Sequence, residues 1–290
     1  METASGTEAW LSAPEAGVEL CLRGKVALIT GGSRGIGAAT VRLFRRAGAR
    51  VVFNYVASRE KAEALVAECG GAEACVAVQQ ELATPEQGRE LVAAAVRTFG
   101  RLDCLIANHG IWPAQDAPIA EMTDAQWHRT IAVNLDSVFG LVQAAVAQME
   151  GQAAQMEGQA AAAGERQDAG RARGHIVLIS STAGQRGEAF HADYAASKGA
   201  IISLTKGLST ELAAKRIRVN CVAPGWVATE MSAETLARPE AAEQVFSKIP
   251  LGRVGHVDEI AGPVLFLCTP YAGFITGEVF NVNGGAVLVG

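Results

Sequence analysis

Charge is scarce in this chain of 290 residues: 19% are charged, with 25 Lys and Arg against 30 Asp and Glu, for a net charge of −5. Without a basic excess there is no electrostatic footprint for nucleic acid or an anionic membrane surface. The six cysteines (Cys21, Cys69, Cys75, Cys104, Cys221 and Cys268) form no C-x-x-C pair and do not cluster with histidine. That spacing argues against a disulfide frame or a zinc site and fits small buried apolar residues in a reducing compartment. Proline is limited to 9 residues, and the 32 glycines follow no Gly-X-Y period, which excludes a collagen-like chain. The start METASGTEAWLSAPEAGVEL has neither the basic opening nor the apolar centre of a signal peptide. The uncharged stretch from Ile260 to Gly277 is broken by Pro263, Pro270 and several Gly and Thr, so it makes a poor membrane span. A cytoplasmic protein with no nucleic-acid partner and no membrane is expected.

What is plentiful is apolar material, 49% of the chain, enough for a large core and too much for a disordered protein. Residues 1–22 read as a flexible leader, and 23–290 as one domain. Within it, VALIT (26–30), VVFNY (51–55), ACVAV (74–78), LDCLIA (102–107), HIVLIS (175–180) and IRVNCVA (217–223) have the length and apolarity of strands covered on both faces. Helical patterns lie between them at Gly35–Ala47, Arg59–Glu68, Pro85–Phe99, Ala125–Met149 and Ala192–Ala214. A further helix is expected over Val257–Leu267, and a seventh strand at EVFNV (278–282). Alternation of this kind predicts an α/β fold, a doubly wound, Rossmann-like parallel sheet of seven strands. One segment breaks the rhythm: QMEGQAA occurs at 148–154 and again at 155–161, followed by AAGERQDAGRARG. A tandem copy this short is no structural repeat unit. It predicts a helix and loop extension, 148–173, exposed to solvent.

The first chemical signal is TGGSRGIG at 30–37, which follows a strand and opens a helix. Gly31 permits the tight turn, Gly35 lets backbone approach a pyrophosphate, and Gly37 allows close packing of helix on sheet. Amides at the helix start then face the phosphates. An NAD site usually carries an acidic residue at the end of the second strand, but Asn54 stands there and the nearest carboxylate is Glu60. A 2′-phosphate is therefore not repelled, and Arg34 in the glycine loop suits it, with Ser58 or Arg59 as further donors. NADP(H) is favoured over NAD(H). Arg34 and Arg59 as plain surface cations is the bland alternative.

The second signal is Tyr194 and Lys198, four residues apart on an expected helix and so on one face. A phenol of pKa about 10 is a poor base near neutrality, and an adjacent ammonium is expected to lower it so that it exchanges protons with a carbonyl or alcohol oxygen. Y-x-x-x-K alone is common by chance. Ser181 strengthens it, thirteen residues upstream and just past a strand's carboxyl end, where open α/β sheets bind ligands. Ser180 and Thr182 compete for its role.

These segments, with VNLDSVF (133–139), SSTAG (180–184), NCVAPGWVATEM (220–231) and ITGEVFNVNGG (275–285), resemble the short-chain dehydrogenase/reductase family in order and spacing from about Leu22 onward. The resemblance implies Tyr194 as general acid/base, Lys198 as the cation that tunes it and binds the nicotinamide ribose, Ser181 as the group orienting the carbonyl, and Asn134 as the holder of a relay water. A structural amide is the other reading of Asn134. Cofactor contacts are implied at Ser33, Ile36, Asn108, Gly110, Pro224, Gly225, Val227 and Thr229, beside Gly31, Arg34, Gly35, Gly37 and Asn54. Within the family the nearest look is that of 3-oxoacyl-[acyl-carrier-protein] reductases, with sugar or polyol dehydrogenases behind. A dinucleotide-binding regulatory protein without turnover is the reading from another class. A small-molecule or carrier-linked carbonyl substrate and a homotetramer are further implications, with Arg129, Lys206 and Lys215 available to meet a carrier protein.

Two positions depart from the family pattern. Ala107-Asn108-His109-Gly110 carries a histidine where alanine is usual, read as packed beside the adenosine ribose or, less favoured, as a second acid/base. Glu81 and Leu82 stand where an acidic residue near adenine is usual. His128, His175, His191 and His256 are read as isolated surface or loop residues, with His191 bordering the substrate as a second option. Trp127 is read as helix core, and Trp112 and Trp226 either as cleft walls or as core. The segment from Thr229 to about Lys248 is read as a mobile helical lid.

Overall fold

A computed structural model describes residues 19–163 and 172–288, with the side chains of 156–163 left aside. Seven strands follow one another along the chain: β1 Val26–Ile29, β2 Arg50–Tyr55, β3 Cys75–Gln79, β4 Cys104–Ala107, β5 Gly174–Ile179, β6 Ile217–Pro224 and β7 Val279–Val282. All pair in parallel, in the order β3-β2-β1-β4-β5-β6-β7. The order reverses between β1 and β4, which leaves a crevice at their carboxyl ends. The main helices are α1 Gly35–Arg46, α2 Arg59–Glu68, α3 Pro85–Phe99, α4 Asp124–Ile131, α5 Ser137–Ala163, α6 Thr182–Arg186, α7 Ala192–Leu212, α8 Glu230–Leu236, α9 Pro239–Ser247 and α10 Val257–Leu267.

Apolar residues cover both faces of the sheet, as parallel strands require. One core gathers Phe44 of α1, Leu65 of α2 and Val264 of α10 over Ile29, Phe53 and Val222. The other gathers Leu91 of α3, Leu141 of α5 and Ile201 of α7 over Leu28, Leu105 and Ile176. Burying each such side chain contributes about 1.5–3 kcal/mol. Local sequence fixes the ends: Thr84 and Gln87 form a capping box at the start of α3, and Gly100 closes it at φ +77°. Gly140 of α5 lies so close to α3 that a Cβ there would sit 2.0 Å from the Pro85 carbonyl. That contact sets how near the two helices approach.

The expected helix Ala125–Met149 is divided. A π-helical turn, Ala132–Asp136, separates α4 from α5, and such turns recur at functional sites. The repeat segment also differs from expectation, since one face of its first copy is buried. Met149 is fully buried, and Gln152 donates to the Leu102 carbonyl at 2.6 Å while accepting from the Leu102 amide at 3.1 Å. Residues 164–171 of the expected loop lie outside the described residues, as do 1–18 of the leader. Leu22, at the leader's expected end, is buried and donates its amide hydrogen to Ala47 at 2.7 Å.

The stretch Asp124–Gln155 is long and apolar enough to cross a membrane by length and composition, and half of its most apolar window is buried in the fold. Its apolarity serves the core rather than marking a span. Trp127 departs from expectation: it is 37% exposed on α4.

Candidate active site

The glycine turn fills the crevice between β1 and β4. Gly31 and Gly35 take φ +65° and +54°, a region open to glycine at little cost. A Cβ on Gly37 would lie 2.1 Å from the Gly31 carbonyl oxygen. Arg34 caps α1 without a side-chain hydrogen bond, so the amides of the first turn face the cleft. Asn108, after β4, donates its backbone amide to Thr30 Oγ1 and its side-chain amide to the Thr30 carbonyl, both at 2.9 Å. It thereby ties the ends of β1 and β4 together.

Asn54 serves differently from the ribose contact expected of it. It is 2% exposed; its Oδ1 accepts from the Gly31 amide at 2.8 Å and its Nδ2 donates to the Gln80 carbonyl at 2.8 Å. A buried amide bonded at both ends holds the turn in place, making Asn54 a positioning residue. Arg59 also faces elsewhere, donating to Gln79 Oε1 at 2.8 Å. Arg34 is at the cleft, bonded through Nη1 to Glu230 Oε2 at 2.9 Å, and Lys61 Nζ meets the other oxygen of the same carboxylate. Sequence reasoning missed Lys61 and Glu230. The α2 positions 61, 64, 65 and 68 share one face by helical period and line this open cleft of about 720 Å³ with Ser33, Arg34, Gly35 and Thr229.

On the opposite wall, Thr229 begins α8 and stands 3.5 Å from where a Gly35 Cβ would be. Pro224 ends β6, and Gly225 presses on Asn283 closely enough that a Cβ would meet it at 2.9 Å. The Val227 side chain belongs to the core, as does the partly buried Ile36. Glu81 pairs with Arg129 at 2.5 Å and Leu82 is buried in the core, so neither lines the cleft by the glycine turn.

Tyr194 and Lys198 share the face of α7 that points to the carboxyl ends of β4 and β5, with the lysine Nζ 5.8 Å from the centre of the tyrosine ring. Lys198 is 4% exposed and donates to the Ile179 carbonyl at 2.9 Å. Burial pushes the ammonium down to about 8. Burial also pushes the Tyr194 phenol up to about 12, opposed by a hydrogen bond from Ser181 and assisted by the Glu188 carboxylate. The expectation that the neighbouring ammonium lowers this phenol is therefore corrected: desolvation is the largest influence on it and raises it.

Ser181 is the serine that reaches Tyr194, while it also caps α6 by accepting from the Ala183 amide at 3.1 Å. Ser180 is excluded from that role because its hydroxyl donates to the Lys198 carbonyl at 2.8 Å, and Thr182 is buried in α6. Asn134 lies in the π-helical turn with its amide fully engaged. It accepts from the Ile111 amide at 2.8 Å and donates to the Ile111 carbonyl at 3.0 Å and Ser197 Oγ at 3.1 Å. A Cβ on Gly110 would be 3.2 Å from both Asn134 Oδ1 and Lys198 Nζ, so glycine lets this loop pass between them.

His109 lies against the glycine turn, its Cα 3.2 Å from where a Gly31 Cβ would be. Its Nε2 faces the Val133 carbonyl at 3.1 Å and Ser137 Oγ at 2.7 Å, and its Nδ1 faces Thr30 Oγ1 at 2.7 Å. A carbonyl oxygen can only accept, so the proton is assigned to Nε2. Burial, with the Lys198 charge adding, pushes this imidazole down to about 3. It stays neutral and acts as a brace between β1 and the π-helical turn, not as an acid/base.

Two other histidines, His191 and His175, are more than surface residues, while His256 is an exposed loop residue as expected. His191 is buried, bonds the Pro113 carbonyl through Nε2 at 2.9 Å and stacks on Trp112 with ring centres 4.6 Å apart. His175 lies on β5 and is pushed down to about 4 by burial, and His256 caps α10. Trp226 meets Trp112 edge-on at 6.3 Å. Glu188, overlooked in the sequence, accepts a hydrogen bond from Trp112 and is raised by burial. Trp112, Trp226, His191 and Glu188 thus form one group, from which the Glu188 carboxylate acts on Tyr194. Of the basic residues considered for a carrier protein, Arg129 and Lys215 are held by Glu81 and Glu150. Among the described residues no group of His, Cys, Asp and Glu could hold a metal ion.

A family model described as enoyl-(acyl carrier protein) reductase matches residues 31–287. The chain is 37% identical over 270 residues to a 3-oxoacyl-[acyl-carrier-protein] reductase of Synechocystis, covering 92% of this chain and 98% of the relative. A glucose/ribitol dehydrogenase of the short-chain type from Brucella melitensis superposes with a TM-score of 0.78 at 35% identity, covering 92% of this chain and 98% of the other. A short-chain dehydrogenase from Burkholderia cenocepacia, solved in complex with NADP, gives 0.78 at 32% identity, with 91% and 98% covered. The chain belongs to the short-chain dehydrogenase/reductase family and is an oxidoreductase of that family.

Proposed function

We propose that this protein is an NADP(H)-dependent carbonyl reductase whose substrate is a 3-oxoacyl thioester, free or carried on an acyl carrier protein. The observation that carries the reading is the meeting of the Ser181 and Tyr194 hydroxyls beside Lys198 at the carboxyl edge of the sheet. Two hydroxyl donors aimed at one place suit an oxygen that gains negative charge. The residues around the cleft also fit a dinucleotide: glycines where side chains would block it, open amides at the start of α1 and cations at the adenosine end.

A nicotinamide dinucleotide held there would supply hydride to the carbonyl carbon. Ser181 donates a hydrogen bond to the carbonyl oxygen, and Tyr194, protonated at neutral pH, gives its proton to that oxygen as charge develops. Lys198, a cation below about pH 8, stabilises the phenolate left behind and would bind the nicotinamide ribose. Asn134, by fastening Ile111 to α7, keeps the loop after β4 beside Lys198. Ser33 and Thr229 line the phosphate end, and Gly110, Pro224 and Gly225 shape the nicotinamide end.

The test is NADPH oxidation with 3-oxoacyl thioesters, sugars and polyols, run on the wild type and on Tyr194→Phe. Loss of about 10²–10⁴-fold in kcat with NADPH binding retained is expected. Equal turnover in the variant rejects the mechanism, and a sugar or polyol as the better substrate moves the reading to that class. A cytoplasmic homotetramer accompanies this proposal, supported by exposed Phe139 on α5 and exposed Phe274 and Leu288 near the end of the chain, and light scattering checks it.

A further inference from the structure

Arg34 and Lys61 come from different elements, the cap of α1 and the first turn of α2, yet each binds a different oxygen of one carboxylate, that of Glu230. Glu230 reaches them from the other side of the cleft, where it is the first residue of α8. The two cations hold its carboxyl below the usual carboxylate pKa range, the lysine hydrogen bond more than the arginine one. All three line the cleft beside Ser33 and Gly35 of the glycine turn, a cleft whose lining does not include Tyr194. A pair of cations that grips two oxygens of one planar anion also grips two oxygens of a phosphate.

We infer that Glu230 is an internal stand-in for the 2′-phosphate: it occupies the Arg34–Lys61 pair in the free protein and yields it when NADP(H) enters. The inference rests on the NADP(H) reading and adds to it a second cation, Lys61, and a competitor. The competitor changes the arithmetic of cofactor choice. NAD(H) has no 2′-phosphate and leaves the Glu230 bridges standing, whereas NADP(H) exchanges one anion for another. Its preference is therefore smaller than two exposed cations alone would give.

All three side chains are half or more exposed, at 60% for Arg34, 54% for Lys61 and 50% for Glu230, so each bridge is modest. Losing both corresponds to about a twofold to thirtyfold change in an equilibrium constant. The exchange also releases the first residue of α8 from α2, so the segment that covers this end of the cleft is freed as the phosphate arrives.

The experiment is calorimetric titration of the full chain with 2′,5′-ADP and with 5′-AMP, which needs no turnover. Glu230→Gln is expected to bind 2′,5′-ADP about threefold to tenfold more tightly, with 5′-AMP changed less than twofold. Lys61→Gln is expected to bind 2′,5′-ADP several-fold more weakly, again sparing 5′-AMP. Glu63→Gln, an exposed α2 carboxylate paired with Arg59 and outside the cleft lining, controls for net charge and is expected to match the wild type. If Glu230→Gln binds 2′,5′-ADP no better than the wild type while the wild type still prefers it to 5′-AMP, the stand-in is refuted and the NADP(H) reading survives. If the wild type binds both nucleotides equally, both fall.

Discussion

Asn54 grips the glycine turn from below: its Oδ1 takes the Gly31 amide hydrogen and its Nδ2 gives one to the Gln80 carbonyl, each at 2.8 Å. The end of β2 thus shapes the dinucleotide site through the backbone of β1 and not through a side chain held out to the ribose. Asn54→Asp keeps one acceptor, removes the donor to Gln80 and sets a buried charge against a carbonyl oxygen. The expected outcome is a loss of about 1–3 kcal/mol of stability in urea denaturation, because a buried partner is left unsatisfied. Affinity for NADH and NADPH should fall together as the turn loosens. A clean switch of preference to NADH at unchanged stability would show that Asn54 reads the ribose after all.

Most of the fold was legible in the sequence because parallel strands and amphipathic helices leave periods that one chain displays by itself. Arg59–Glu68, Pro85–Phe99 and Val257–Leu267 match the observed helices residue for residue. What escaped was set by contacts distant in sequence. Nothing local in VNLDSVF announces the π-helical turn, which is braced by His109 and holds Asn134 against Ile111 and Ser197. His109 looked anomalous beside the family pattern, yet its role follows from Thr30 and Ser137, dozens of residues away. Glu230 and Lys61, 169 positions apart, meet only because the crevice brings α2 and α8 together. The proposed proton-transfer residues Tyr194, Lys198 and Ser181 could be named from the sequence, but the charge states of Tyr194 and Lys198 could not, since burial sets them.

Those charge states give a pH dependence with a definite sign. Tyr194 is pushed up to about 12, so across neutral pH it is a phenol ready to donate, and carbonyl reduction needs no ionisation of it. Lys198 is pushed down to about 8, so its positive charge is complete at pH 6 and fades as pH rises through 8. The kcat for reduction is expected to be level below pH 7 and to decline above about 8. Alcohol oxidation needs the phenolate and should climb with pH over the same range. Removing the Glu188 charge lessens the penalty on that phenolate, so Glu188→Gln should move the rising limb of oxidation to lower pH. Profiles of kcat in both directions decide this. An unmoved oxidation limb in the variant would remove Glu188 from the electrostatics of the site.

The tandem heptad permits a prediction in which a deletion is milder than a point substitution. Met149 is fully buried where β5 begins, so close to Gly174 that a Cβ on that glycine would lie 2.3 Å from its sulfur. Gln152, one turn on, bonds both backbone groups of Leu102, and Glu150 pairs with Lys215. Met149→Ala empties a core position and should cost about 2–5 kcal/mol. Deleting Gln148–Ala154 removes all three groups at once, yet residues 155–161 repeat the same QMEGQAA. After the deletion Gln155, Met156, Glu157 and Gln159 follow Ala147 directly, and α5 restores each contact at the same helical phase, two turns shorter. Thermal denaturation should therefore rank the deletion close to the wild type and the alanine variant well below both, with turnover following the same order. A deletion as damaging as Met149→Ala would mean that the length of α5, and not the identity of the residues at its packed positions, supports the start of β5.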